Sequence, residues 1–297
     1  PEAEELLKCR AALRCSESKV IGNKLIFKGE SQLQMLYRSS AGGLCTAEYE
    51  LPFSQIMEIT GAGEESTCDV YVVLTGLDCA LDSGDGRTIS VSMGLLAQAV
   101  VREERTLQML TDVYSTAFQL TAESRTYTLG RLVEHGEKEL TVREILETGM
   151  LAQEVSDAYV TIGAITQSRD GRRVTLTAEA NVTVLYLTED GARTSITRQL
   201  QAACPLELPE EASCSCHCGC TAPVFATPTT GGIEVRFPVG FRYTAMTSRT
   251  TAAVSAVHMD EGTPRDHSGQ PSIVLRMVGN GERLWDIAKS YGTTAQD

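Results

Sequence analysis

Apolar and polar residues alternate along two segments of the chain, and these segments resemble each other. KLIFKGESQLQMLYRS (residues 24–39) aligns without gaps with RVTLTAEANVTVLYLT (residues 173–188), and both carry a Leu-Tyr pair near their end. Strict alternation is typical of a β-strand with one buried face. Turn-forming residues follow each segment, AGG at 41–43 and EDG at 189–191. We therefore predict a strand, ended by a turn, over each segment.

The flanking parts of the chain repeat in the same order. The matching pairs are residues 68–75 with 214–221 (CDVYVVLT and CSCHCGCT), residues 89–97 with 233–241 (ISVSMGLLA and IEVRFPVGF), and the alternating segments around residues 9–15 and 159–165. Several short strands separated by turn signals are typical of antiparallel sandwiches and barrels. We predict a mainly β protein with two tandem antiparallel repeats of sandwich-like or barrel-like form.

Two stretches depart from the strand pattern. In residues 128–149, Thr141 and Glu144 have the spacing of a capping box, which predicts a short helix between the repeats. Residues 261–272 are rich in turn-forming and polar residues, which is typical of a linker.

The C-terminal segment has a different character. Ile273, Leu275 and Met277 occupy every second position, which predicts a strand. Four apolar residues then follow at helical spacing: Leu284, Ile287, Ala288 and Tyr291. Gly292 stands where a left-handed residue ends a helix, and so we predict a short amphipathic helix stopped at that glycine.

Composition and charge exclude several classes of function. Hydrophobic residues make up 42% of the chain and charged residues 22%, the balance of a globular protein. The net charge of −13 argues against nucleic acid and anionic membranes as partners, because both need a basic surface. No apolar stretch is long enough to span a bilayer, and the first residues, PEAEELLK, lack the features of a signal peptide. We expect no membrane insertion.

A group of cysteines raises the question of a metal site. Thiolate and imidazole are good zinc or copper(I) ligands, and the group contains Cys214, Cys216, His217, Cys218 and Cys220. On an extended strand, however, this spacing puts the four sulfurs on one face and the imidazole on the other. In the repeat, the last three cysteines align with Val70, Val72 and Leu74. Core filling is therefore the favoured interpretation, and a metal or redox site is the alternative.

The sequence carries no enzymatic signature. No nucleophile elbow, metalloprotease, P-loop or dinucleotide motif occurs. His135, His258 and His267 stand in polar surroundings without a partner motif, and we expect them on the surface. We therefore predict a protein that is not an enzyme and needs no cofactor.

The C-terminal sequence motif resembles a known module. G-E-x-L-W-x-I-A-x-x-Y-G-T-T (residues 281–294) is similar to the first strand and helix of a LysM domain, a βααβ module that binds N-acetylglucosamine-containing glycans. The resemblance implies a partial glycan-binding or partner-binding site. Its candidate residues are Gly281, Glu282, Arg283, Leu284, Thr293 and Thr294. It also implies that Trp285 belongs to the core of the helix.

Two departures from the LysM pattern matter. The family usually has an Asp-Thr pair at positions 282–283, so the helix loses its threonine cap here. The printed sequence also ends before the second helix and last strand of the module. We expect half of the glycan site to be missing.

The repeat also resembles a family. KLIFKGESQLQMLYRS, LPFSQ and LTDVYS are similar to the SPOCS domain of spore-coat proteins of Clostridia and Bacilli, and tandem SPOCS domains before PSIVLRMV and a LysM module resemble clostridial coat morphogenetic proteins. The predicted organisation is a first SPOCS-like domain (1–120), a connecting segment (121–150), a second SPOCS-like domain (151–260), a linker (261–272) and the first half of a LysM module (273–297).

The resemblance implies a function. It points to a non-enzymatic protein that assembles or anchors the spore envelope in the mother-cell cytoplasm, at the forespore surface. The expected partners are coat morphogenetic proteins such as the coat ATPase scaffold, or else peptidoglycan, with no nucleic acid. The alternative is the cell-wall-binding module of an exported peptidoglycan hydrolase.

Overall fold

The computed structural model describes residues 2–82, 84–266, 268–269, 271 and 273–296, and this part of the chain is mainly β-structure with one helix. The strands are β1 (Ala3–Ile21), β2 (Lys24–Ser39), β3 (Leu44–Glu58), β4 (Thr67–Leu81), β5 (Ile89–Arg102), β6 (Phe118–Leu146), β7 (Ala152–Asp170), β8 (Arg173–Thr188), β9 (Arg193–Glu207), β10 (Ser213–Cys220), β11 (Phe225–Thr229) and β12 (Gly232–Pro264); the helix α1 is Leu284–Tyr291. None of the described helical structure is long and apolar enough to cross a membrane.

The chain divides into two compact units. The first unit comprises Pro1–Glu104 and Leu132–Thr247, and the second comprises Arg105–Arg131 and Ser248–Asp297. The long strands β6 and β12 each contribute residues to both units.

The first unit contains several antiparallel sheets. β2 is the central strand of the sheet β1–β2–β3, and β8 is the central strand of β7–β8–β9. β4 pairs with β5, while β12 pairs with β10, β11 and β6. The two segments whose alternation predicted strands, residues 24–39 and 173–188, have the same bounds as β2 and β8. Both strand predictions are confirmed.

The cores consist mainly of aliphatic residues from alternating strand positions. In β8 every second side chain from Val174 to Val184 is buried, and these face buried residues of β12 such as Phe237 and Phe241. A smaller core joins β2 to β4 through Leu25, Phe27 and Val70. Full burial of such a side chain contributes roughly 1.5–3 kcal/mol. The alternation in the sequence is therefore the main determinant of where the cores lie.

The helix predicted in residues 128–149 is wrong, because β6 runs through the whole stretch up to Leu146. The capping-box spacing of Thr141 and Glu144 is a local signal. Pairing with β12 outweighs it, since a ladder satisfies the backbone groups of a long segment at once.

The second unit ends in the helix α1, and its predicted C-terminal stop is confirmed. Gly292 adopts a left-handed conformation with φ 67°, and its N–H reaches the carbonyl of Lys289. At the other end Arg283 provides no side-chain cap, as the missing threonine predicted.

The strand predicted over Ile273–Met277 is wrong. This segment has no regular structure, and the side chains of Leu275 and Met277 are 97% and 94% exposed. A strand requires a partner, and no described strand pairs with this segment. The preceding stretch, predicted as a linker over 261–272, begins instead as the last four residues of β12.

Candidate functional site

The turn before α1 holds the first group of predicted site residues. Gly281 has φ 87°, and Glu282 closes the turn by accepting a 2.8 Å hydrogen bond from the Gly279 N–H while its carboxylate also contacts Arg276. Arg283 donates two hydrogen bonds of 2.8 and 3.0 Å to Asp286. These hydrogen bonds hold the pKa of the Asp286 carboxyl below its usual range. The polar groups of this turn are therefore engaged with one another.

The second group of predicted residues lies at the other end of the helix. Thr293 and Thr294 follow Gly292, whereas Gly281 and Leu284 lie at the helix start. A helix of eight residues is about 12 Å long. The structure thus places the six predicted residues in two groups separated by the length of α1.

One face of α1 is held by a segment of the second unit that precedes β6. The Asp112 carboxylate accepts a 2.8 Å hydrogen bond from the Trp285 indole and a 2.6 Å hydrogen bond from Lys289. The Tyr114 hydroxyl donates to the Thr293 carbonyl at 2.8 Å, and its ring lies edge-on to Trp285 with centroids 4.8 Å apart. We call Asp112 and Tyr114 the clasp.

The clasp has an electrostatic consequence and corrects one expectation. Hydrogen bonds from Lys289 and then Trp285 hold the pKa of Asp112 below its usual range. Trp285, expected in the core of the helix, keeps 38% of its surface exposed. The clasp was not predicted, because Asp112 and Trp285 are 173 residues apart and share no local pattern.

The cysteine strand β10 orients its side chains as predicted. Cys214, Cys216, Cys218 and Cys220 are half-buried and pack against the larger core, while His217 points outward against the ring of Tyr71 at 4.1 Å. Among the described residues, no cluster of three or more His, Cys, Asp or Glu side chains is placed to hold a metal ion. The observed packing is that of core-filling residues.

The pKa shifts of the thiols in this strand differ in direction. Burial raises the pKa of both Cys214 and Cys220. The sulfurs of Cys216 and Cys218 are 3.9 Å apart, and their mutual hydrogen bond raises the pKa of Cys218 and lowers that of Cys216.

A buried carboxylate forms a polar cluster that sequence reasoning missed. Asp69 on β4 is almost fully buried and accepts a 2.7 Å hydrogen bond from Arg102 on β5. The His135 Nε2 lies 3.1 Å from the other carboxylate oxygen, Oδ1, which accepts no hydrogen bond. His135, expected on the surface, is therefore half-buried beside the Asp69 carboxylate. The cluster neutralises a buried charge and joins β4 and β5 to β6.

The remaining histidines differ in their placement. His258 is exposed as expected and lies 3.1 Å from Glu123. His267 lies outside the described residues.

A family model matches the N-terminal part of the chain. Residues 2–82, which contain β1 to β4, match the family model described as SipL, SPOCS domain. No curated protein and no solved structure matches the chain. The match indicates a sporulation-related protein and supports the SPOCS part of the sequence interpretation.

Proposed function

We propose that this chain is a non-enzymatic assembly or anchoring protein of the spore envelope. The match of residues 2–82 to the SPOCS family carries this proposal. The acidic net charge and the absence of enzymatic sequence motifs support it.

The proposal includes a second SPOCS-like domain in tandem with the first. Two turns recur at an offset of 149 residues. Gly22 and Gly171, before β2 and β8, have φ of 58° and 55°. After these strands Gly42 and Gly191 have φ of 82° and 78° and donate hydrogen bonds of 2.9 and 3.0 Å to Ser39 and Thr188. Equivalent turns around equivalent central strands support a duplicated domain.

The proposal assigns attachment to the LysM-like segment. The helix α1 and its glycine stop have the form that the resemblance implies. Beside them, Ile273, Leu275 and Met277 expose 81%, 97% and 94% of their surface, which supports a docking role. We assign this surface to a spore coat morphogenetic protein such as the coat ATPase scaffold, in the mother-cell cytoplasm, with peptidoglycan as the second candidate ligand.

A pair of pull-downs tests the function. The immobilised chain is offered lysate of sporulating cells and, separately, purified peptidoglycan. We expect coat proteins to be retained from the lysate, and L275E/M277E to reduce that retention at least tenfold. V257E, which also replaces an exposed apolar residue of the second unit, serves as the matched control.

The same experiment addresses the alternative. Retention on peptidoglycan without any coat protein would favour the cell-wall-binding module of an exported hydrolase. A zymogram of the full-length gene product showing wall lysis would establish that alternative and remove the assembly function.

A further inference from the structure

The strand β5 has an open edge. It pairs with β4 from Ile89 to Arg102, and no other described strand pairs with it. The counterpart arrangement around β12 is closed, because β12 pairs with β10 through residues 239–246 and also with β6, whose His135 lies 3.4 Å from Thr244. β12, which corresponds to β5 in the repeat, thus accepts a partner on each edge.

The open edge lacks charge and proline, two of the features that keep sheet edges apart. Natural edge strands are commonly interrupted by charged residues and proline. The outer strands β3 and β9 have both, including Glu50 and Pro52 in β3 and Arg198 and Pro205 in β9. In β5 neither charge nor proline occurs before Arg102. This edge is therefore unprotected against pairing.

Exposed apolar side chains stand beside the same edge. Leu96 is 59% exposed, and its cross-strand neighbour Val73 on β4 is 53% exposed. Leu95 is 38% exposed. Exposed leucines on the uncharged stretch of β5, with an exposed valine beside them on β4, indicate a surface that is covered by further β-structure.

We propose that the edge of β5 pairs antiparallel with β5 of a second copy of this chain, forming a four-stranded sheet β4–β5–β5–β4 across a two-fold axis near Leu96. An uncharged edge is complementary to itself, because the two copies meet without like-charge repulsion along the strand. With the axis near Leu96, the leucines of both copies become cross-strand neighbours. The row Val73–Leu96–Leu96–Val73 then buries the side chains that are exposed in one copy.

The net charge predicts how this pairing responds to salt. Each copy carries −13, so the copies repel at long range. Salt screens this repulsion over a Debye length of about 10 Å at 0.1 M and about 3 Å at 1 M. Pairing through an apolar edge is therefore strengthened by salt, whereas pairing through ion pairs would be weakened.

Sedimentation of the full chain under reducing conditions tests the proposal. We expect a dimer whose Kd falls as salt is raised. L96E should raise this Kd at least tenfold, and V73E should raise it less than threefold. The two residue-73 side chains are separated by three strand spacings, about 14 Å, whereas the two residue-96 side chains are adjacent. Equal effects of L96E and V73E on the Kd of the dimer would show that the two β4–β5 sheets stack face to face, and would overturn edge pairing.

A charge-reversal pair separates loss of pairing from loss of folding. L96E and L96K should each be monomeric, and an equimolar mixture should form a heterodimer, because opposite charges then meet across the axis. Absence of the heterodimer would overturn the proposed axis. A wild-type chain that stays monomeric but binds a peptide of residues 132–146 would show that the edge takes a separate strand, and would overturn the second copy as its occupant.

The proposal does not depend on the LysM-like segment. Retention of coat proteins by L96E would leave the proposed function intact while the dimer is lost. Conversely, a dimer that retains no coat protein would support edge pairing and contradict the proposed function.

Discussion

The guanidinium group of Arg10 donates two hydrogen bonds, of 2.7 and 2.5 Å, to the carboxylate of Asp157, 147 residues further along the chain. The Asp157 side chain is only 4% exposed and that of Arg10 21%. Arg10 also contacts Gln34, and its guanidinium carbon lies 4.5 Å from the centre of the Tyr159 ring. This ion pair joins β1 to β7 within the first unit.

Removal of one partner of this pair should destabilise the first unit. D157A leaves the guanidinium of Arg10 without its anion in a mostly buried position, and we expect a loss of about 3 kcal/mol in the free energy of unfolding. Urea denaturation followed by circular dichroism measures the loss.

Two controls define the origin of that effect. R10M/D157L removes both charges and should unfold within about 1 kcal/mol of the natural chain. R38M removes the exposed pairs of Arg38 with Glu4 and Glu5 and should cost less than about 1 kcal/mol. A loss after R38M as large as that after D157A would contradict a special role for the buried pair.

The contacts of Asp112 predict an acid transition in the second unit. The pKa of this carboxyl is lowered in the folded chain, from about 3.9 in an unfolded one. Its stabilising contribution is therefore complete above the unfolded value and is lost as the pH falls through the lower folded value. Since Trp285 is the only tryptophan, the tryptophan emission reports on the surroundings of this indole. We expect the emission to change only below about pH 4.

Two variants show which carboxylate causes that transition. D112N keeps an acceptor for the Trp285 indole but has no charge, so its emission should stay constant where the natural chain changes. D286N removes the carboxylate in the first turn of α1, whose pKa is lowered by the hydrogen bonds from Arg283. This variant should keep the transition. A transition that persists in D112N would assign the effect to another group.

The sequence predicts structure where the determinants are local or periodic. The bounds of β2 and β8 follow from alternation, and the end of α1 follows from Gly292, because both signals lie within the segment itself. β6 could not be found this way, since its partner β12 is distant in the sequence and its own residues favour a helix cap.

The polar contacts between distant residues could not be predicted from the sequence either. Tertiary structure brings Asp69 to His135 and Asp112 to Trp285, and neither pair has a characteristic spacing. The resemblance to a LysM module gave no indication that the Tyr114 hydroxyl would donate a hydrogen bond to the carbonyl of Thr293. Side chains brought together by tertiary structure require the fold to be known first.

The cysteines of β10 should be replaceable by apolar residues. Cys216 and Cys218 face the core, so C216V/C218V should fold and change the free energy of unfolding by less than about 1.5 kcal/mol. C204S should cost about 1–3 kcal/mol, because Cys204 is fully buried and the hydroxyl would lack a partner. Urea denaturation measures both changes.

Elemental analysis of the reduced protein distinguishes core filling from metal binding. We expect less than one equivalent of zinc or copper for each chain. One equivalent or more that disappears in C216V/C218V would establish the metal site and reject core filling.

Gly232 should tolerate no side chain. It has φ 135°, and a Cβ atom there would lie 2.1 Å from the carbonyl oxygen of Leu146, where β6 passes the start of β12. G232A combines backbone strain with a clash against a neighbouring backbone, and we expect it to cost about 3 kcal/mol or more in the free energy of unfolding. The matched control is G219A, because a Cβ atom at Gly219 on β10 meets nothing within 4 Å. This control should change the stability by less than about 1 kcal/mol. Similar stabilities for the two variants would mean that β6 and β12 separate at this point without cost, which contradicts the close pairing of these strands.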